Sequence, residues 1–165
     1  MPSNFTTFYN EHENDKEIIN KKIKYNNKIL HQSKLLNYFN GDYPKSKIEE
    51  DLNKFLKKIK KNKKYFLSKK DIIFLEALKS DGIQIAKKYD DLYKINQSEM
   101  PADIQAMIDK KEIGAALLRI IEVIGPERIE DIDEDTVYFI INTLNQLNVD
   151  SIRNKLLLKV LPLKV

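Results

Sequence analysis

The chain has 165 residues and no cysteine, so it is long enough for one ordinary hydrophobic core and cannot use disulfides, thiolate nucleophiles or sulfur-ligated metals. Apolar residues make up 42% and charged residues 33%, and only four Gly and five Pro occur, which argues for a charge-rich helical protein and against a turn-dense β-sandwich. The net charge of +4 is unevenly spread: residues 1–100 carry a net +7 and residues 101–165 a net −3. The cations are almost all lysine, and Lys, Asn and Ile are abundant together, as codon use in an A- and T-rich genome produces.

In chain order, residues 1–13 hold Phe5, Phe8 and Tyr9 without a helical stripe and are expected as a flexible N-terminal arm. Residues 14–165 then read as a single helical domain, with a basic half over 14–100 and an acidic helical-hairpin cap over 101–165. From Asp15 to Phe39 the apolar residues are spaced broadly as on a helix, with Asn26–Asn27 a weak point and Asn40–Gly41 a stop. Ser46 and Glu49 predict a capping box for a helix whose inner face is Ile48, Leu52, Phe55, Leu56 and Ile59. Ser68 and Asp71 predict a second helix start. The apolar residues after it spread almost all round, placing residues 70–79 near the centre of the domain, and Gly82 ends that helix.

A short helix is expected around Ala86–Tyr93, and Pro101 suits the first position of the next. Three short amphipathic helices follow. Glu112–Ile124 stops at Gly125–Pro126. Residues 134–147 follow an Asp133 cap, and the last helix follows an Asp150 cap and ends at Pro162. The turn at Asn148–Val149–Asp150 is short enough to force an antiparallel αα-hairpin.

Leu117-Leu118-Arg119-Ile120-Ile121 and Leu157-Leu158-Lys159-Val160-Leu161 match in type at an offset of 40 residues, within the range of helical-repeat periods of about 34 to 47. With the small residues Gly114, Ala115 and Ala116, residues 112–161 resemble the closing repeats of tetratricopeptide-like or related α-solenoid proteins. The resemblance covers under a third of the chain, tryptophan is absent, and the 34-residue consensus does not fit. It implies an all-α fold of stacked antiparallel helical hairpins, a short α-solenoid-like array or the C-terminal part of a longer one. It carries over no functional residue.

The sharpest functional feature is a lysine run: Lys54, Lys57, Lys58, Lys60, Lys61, Lys63 and Lys64, continued by Lys69 and Lys70, with no acid between Asp51 and Asp71. Clustered cations bind phosphate backbones, and Tyr65 and Phe66 inside the run could stack on bases. The same residues also fit a solvated helix face and a hydrophobic staple, and the run holds no arginine for bidentate recognition. A second candidate is a partner groove formed by Tyr25, Asn26, His31 and Tyr38, with Asn27 and Gln32 beside them. The competing reading makes these the solvent side of a long helix.

His12 and His31 have no metal-ligand spacing, and the acids from Glu127 to Asp135 lack the glycine of an EF-hand loop and fit a helix N-terminus instead. No nucleophile elbow, phosphate loop or dinucleotide motif occurs. No cofactor is expected. The first thirty residues hold no secretory signal and no run of about 18 apolar residues exists, so the expected location is the cytoplasm, unless a preceding N-terminal segment is missing. The expectation is a non-enzymatic helical module for protein–protein interaction or scaffolding, with nucleic-acid or polyanion binding through residues 54–70 as the alternative.

Overall fold

The computed structural model describes residues 23–92 and 100–164. The arm expected over residues 1–13, and the first part of the helix expected from Asp15, lie outside them. Within them the chain is all-α apart from one two-stranded antiparallel pair, β1 (Ile23–Lys24) with β2 (Leu163–Lys164), in which Ile23 faces Lys164 and Lys24 faces Leu163.

The helix expected up to Phe39 does not form over the described residues. After β1 come a turn and two 3-10 helices, η1 (Leu30–Gln32) and η2 (Lys34–Asn40). The reason is local competition for backbone groups. Asn26 Oδ1 accepts from the backbone N–H of Lys28, Asn27 Oδ1 accepts from that of Lys34, and Ser33 Oγ donates to the carbonyl of Leu30. Short polar side chains that bond neighbouring backbone in this way offer the chain an alternative to the α-helix. Gly41, at φ +85°, closes η2 as expected.

Helix α1 (Lys45–Lys61) buries Ile48, Leu52, Leu56 and Ile59. It starts earlier than the Ser46–Glu49 box predicts. Pro44 takes the N-cap, its carbonyl accepts from Lys47 and Ile48, and Glu49 Oε2 instead accepts from the backbone N–H of Gln84.

Helix α2 (Lys69–Ser80) begins with the expected Ser68–Asp71 capping box. It ends in a Schellman turn: Ile83 N–H bonds the carbonyl of Leu78 and Gly82 N–H that of Lys79, with Gly82 at φ +84°. Its residues Ile73, Phe74, Leu75, Ala77 and Leu78 are all buried, as a broad apolar helix requires. A 3-10 helix, η3 (Lys87–Leu92), follows.

Helix α3 (Ala102–Asp109) packs against α4 (Ile113–Ile124), and α5 (Glu134–Gln146) against α6 (Asp150–Val160), with the short 3-10 helix η4 (Ile129–Asp131) between the two pairs in sequence. Asp133 caps α5, accepting from the backbone N–H and hydroxyl of Thr136. Asp150 does not cap α6. It is the first helical residue, behind Val149, and Asn148 makes the turn at φ +56°. Asparagine tolerates that left-handed conformation better than most residues.

Packing also joins elements far apart in sequence. α2 lies against α5, α6 against η2, and α1 against η2 and η3. The main core therefore takes Leu30 and Leu36 from the start of the described chain, Phe74 from α2, Ile141 from α5, and Leu157 and Leu161 from its far end. Two smaller apolar clusters hold α3 and α4 onto α5, one around Ile104, Ala116 and Leu147 and one around Ile120, Ile140 and Leu144. No helix among the described residues is long and apolar enough to cross a membrane.

Candidate functional site

The lysine run separates into two groups. Lys54, Lys57, Lys58 and Lys61 recur at spacings of three and four on α1 and so share one face, opposite Leu52, Leu56 and Ile59. Lys54 is paired with Glu50 at 2.5 Å, Lys60 donates to the carbonyl of Lys88 and lies 5.9 Å from the Tyr89 ring centre, and Lys69 pairs with Asp135. By contrast Lys57, Lys58, Lys61, Lys63 and Lys64 are exposed and make no side-chain bond within the described residues.

The two aromatics of the run also divide. Tyr65 turns inward: its hydroxyl donates to Asp71 Oδ2 at 2.9 Å and accepts from the backbone N–H of Leu30 at 3.0 Å. Phe66 points outward and is 84% exposed. Only Phe66 remains as a stacking surface beside the lysines.

The four residues expected to line a partner groove have their polar tips engaged within the chain. Tyr25 donates to Asn37 at 2.5 Å, Tyr38 donates to Asp81 at 2.9 Å, and Asn26 sits in the turn after β1. Burial, then the Asp81 carboxylate, push the Tyr38 hydroxyl well above the usual phenol range. His31 is buried, with Nδ1 2.7 Å from Asp71 Oδ1 and its backbone N–H bonded to the same oxygen at 3.0 Å.

Asp71, His31 and Ser68 invite comparison with a nucleophilic triad. The geometry differs at the decisive atom. In a triad the acid holds one ring nitrogen and the serine meets the other. Here Ser68 Oγ, 3.4 Å away, and Asp71 both approach Nδ1, while Nε2 faces Gln32. Ser68 Oγ is also already accepting from the Asp71 N–H as the helix cap. Burial raises the Asp71 carboxyl, but hydrogen bonds from the His31 ring and from the backbone N–H groups of Ser68 and His31 outweigh it and hold the group below the usual carboxylate range. The cluster is a buried polar clasp between η1 and α2. Among the described residues no group of three or more His, Asp or Glu is arranged to hold a metal ion.

Along an open cleft beside Asn53, Gln84 and Ala86, Asn53 Oδ1 accepts from Ala86 N–H and Glu49 Oε2 from Gln84 N–H, so these polar wall groups already have partners within the chain.

The surface that the sequence pattern did not single out is on α4. Its expected stripe holds Ile113, Ala116, Leu117, Ile120, Ile121 and Ile124, and of these only Ala116 and Ile120 are buried. Leu118 is 64% and Ile121 63% exposed, with Ile113 and Val123 also largely open. Gly114, Leu118 and Ile121 lie along one outward row. Charge frames it: Lys110 and Lys111 stand exposed before the helix, Glu122 and Glu127 at its other end, and Arg119 is held by Glu122 at 3.1 Å and Asp103 at 3.5 Å. The clue was present as the doublets Leu117–Leu118 and Ile120–Ile121, which make the apolar arc wider than one packing face.

Comparison with known proteins finds no matching family model, no matching curated protein and no matching solved structure.

Proposed function

We propose that the chain is a non-enzymatic helical module that works by protein–protein contact, with α4 as its contact face. The observation that carries this reading is the adjacent exposure of Leu118 and Ile121 on a helix whose other side is anchored to α5. Contiguous exposed apolar surface rimmed by charge is the usual signature of a protein contact site. The packed helix pairs α3–α4 and α5–α6 support a stacked-hairpin, α-solenoid-like arrangement in which α4 presents an outer face. The fitting occupant is an amphipathic helix laid along the row Gly114–Leu118–Ile121.

The test is affinity capture on the immobilised chain and on the double variant Leu118→Glu/Ile121→Glu, with circular dichroism confirming that both are folded. Proteins held by the original chain and lost from the variant are expected. Equal retention on both removes α4 as the contact face.

A second reading is polyanion binding through Lys57, Lys58, Lys61, Lys63 and Lys64 with Phe66, favoured by the absence of any intramolecular partner for these five cations within the described residues. Binding of a labelled single-stranded oligonucleotide should weaken with salt, with a log–log slope of about −0.7 for each phosphate contacted. Replacement of Lys57, Lys58, Lys61 and Lys64 by Gln should flatten that slope, and an unchanged slope rejects this reading.

A further inference from the structure

Gly114 stands apart from the other glycines. Gly41, Gly82 and Gly125 all adopt positive φ, where a side chain is strained. Gly114 is in the first turn of α4 with an ordinary helical backbone, and a Cβ built on it would meet nothing within 4 Å. Glycine inside a helix costs about 0.5–1 kcal/mol relative to alanine. Neither the backbone nor any neighbour among the described residues requires it. What a glycine at such a place permits is close approach by a backbone or a bulky side chain from outside.

The same row supplies the side chain that would fill the space. Ile121 lies seven residues on, two turns along the same outward face, with Leu118 between. If a second α4 is laid antiparallel on the first, with the two-fold axis between Leu117 and Leu118, each Gly114 faces the partner's Ile121. Leu118 of each copy then lies beside the partner's Leu118 at the axis, while Leu117 stays packed on the Ile120, Ile140 and Leu144 cluster of its own chain. The row is a knob and a hole at matched distances from one point, and so complements its own inverse. That is the requirement for an isologous contact.

The charges select the same orientation. The start of α4 is preceded by exposed Lys110 and Lys111, and its end carries exposed Glu122 and Glu127. In the antiparallel register Lys111 of each copy falls opposite the partner's Ile124, within one turn of the partner's Glu122, which also pairs with Arg119 of its own chain. A parallel pairing would set like charges side by side, and would align the helix dipoles unfavourably.

We infer that the chain forms a two-fold dimer through antiparallel pairing of α4, with Ile121 of each copy seated over Gly114 of the other. This rests on the reading of α4 as the contact face and names its occupant as a second copy of the chain.

The chain has no cysteine, so single cysteines report without background. Sedimentation equilibrium of the full chain should show a monomer–dimer equilibrium that Ile121→Glu shifts to monomer. Leu118→Cys, bridged by a short bis-maleimide, should give at least about tenfold more covalent dimer than Phe66→Cys, an exposed site remote from the axis, as proximity at the axis requires. Lys111→Glu should weaken the dimer, and adding Glu122→Lys should restore it.

A chain that stays monomeric at every concentration, or equal bridging at Leu118→Cys and Phe66→Cys, overturns the dimer. If that monomer still loses a captured protein through Leu118→Glu/Ile121→Glu, only self-pairing is rejected. If it loses nothing, α4 is rejected as a contact face altogether.

Discussion

The guanidinium of Arg153 lies fully buried, with Nη2 2.8 Å from both carboxylate oxygens of Asp81, joining α6 to the end of α2 across 72 residues of sequence. Nη1 bonds Asn145 at 3.1 Å, and Nε and Nη2 both bond Asn154. Asp81 in turn accepts from Tyr38. One buried cation thus ties η2, α2, α5 and α6 together.

Removing Asp81 leaves the buried guanidinium with only the more exposed Asp150 carboxylate, 3.5 Å from Nη1. Asp81→Asn should therefore destabilise the fold in urea unfolding, by up to about 3 kcal/mol, the lower end of the cost of an unpaired buried charge. Replacing both partners, Asp81→Asn with Arg153→Met, should recover a large part of that loss, because no uncompensated charge then remains buried.

Core positions should respond by volume. Leu144 and Leu157 are fully buried, and truncation of either to Ala should cost about 2–5 kcal/mol. Phe66→Ala removes more atoms but from an exposed site, and should stay within about 0.5 kcal/mol of the original chain.

Asp71 gives the acid limb of stability. Burial opposes its charge, yet the bonds from His31 and Ser68 leave its folded pKa below the unfolded one. A carboxyl depressed in this way contributes fully above its unfolded pKa and loses the contribution as pH falls through the folded value. Thermal melts between about pH 5 and pH 2 should therefore show a decline that Asp71→Asn flattens, from a lower starting stability at neutral pH.

Two glycines should respond with opposite sign. Gly82→Ala forces an alanine to φ +84° and should cost about 1–2 kcal/mol. Gly114→Ala improves helix propensity and should raise the stability of the dilute monomer by about 0.5–1 kcal/mol. Guanidinium titrations of the two variants in parallel test the contrast.

The parts of the fold legible in the sequence are those governed by short-range rules. Ser68–Asp71, Gly82 and Asp133 each mark a terminus through a bond spanning only a few residues, and the structure forms all three. The α1 face of lysine against Leu52 and Leu56 was equally readable, because period alone decides it. What was not legible depends on where the bonds go. Asn26, Asn27 and Ser33 bond nearby backbone and replace a helix with 3-10 turns. His31 and Tyr38, which as polar residues suggested a surface, send their tips to Asp71 and Asp81, about 40 residues away. Ser46 has the chemistry of a cap, but Pro44 starts the helix first. On α4, periodicity reports how wide the apolar arc is and says nothing of how many neighbours cover it. That is why Leu118 and Ile121 emerged only with the packing.

The joining of β1 to β2, and of Leu30 and Leu36 to Leu157 and Leu161, has a bearing on biosynthesis. A nascent chain leaving the ribosome presents Phe39, Ile73 and Phe74 long before residues 157–161 emerge to cover their side of the core. Until then the basic half cannot complete its interior, and its apolar residues stand open to chaperones and to one another. Folding of the main core is in this sense deferred to the last turns of α6, and a translation product ending before residue 157 should be cleared as an unfolded chain.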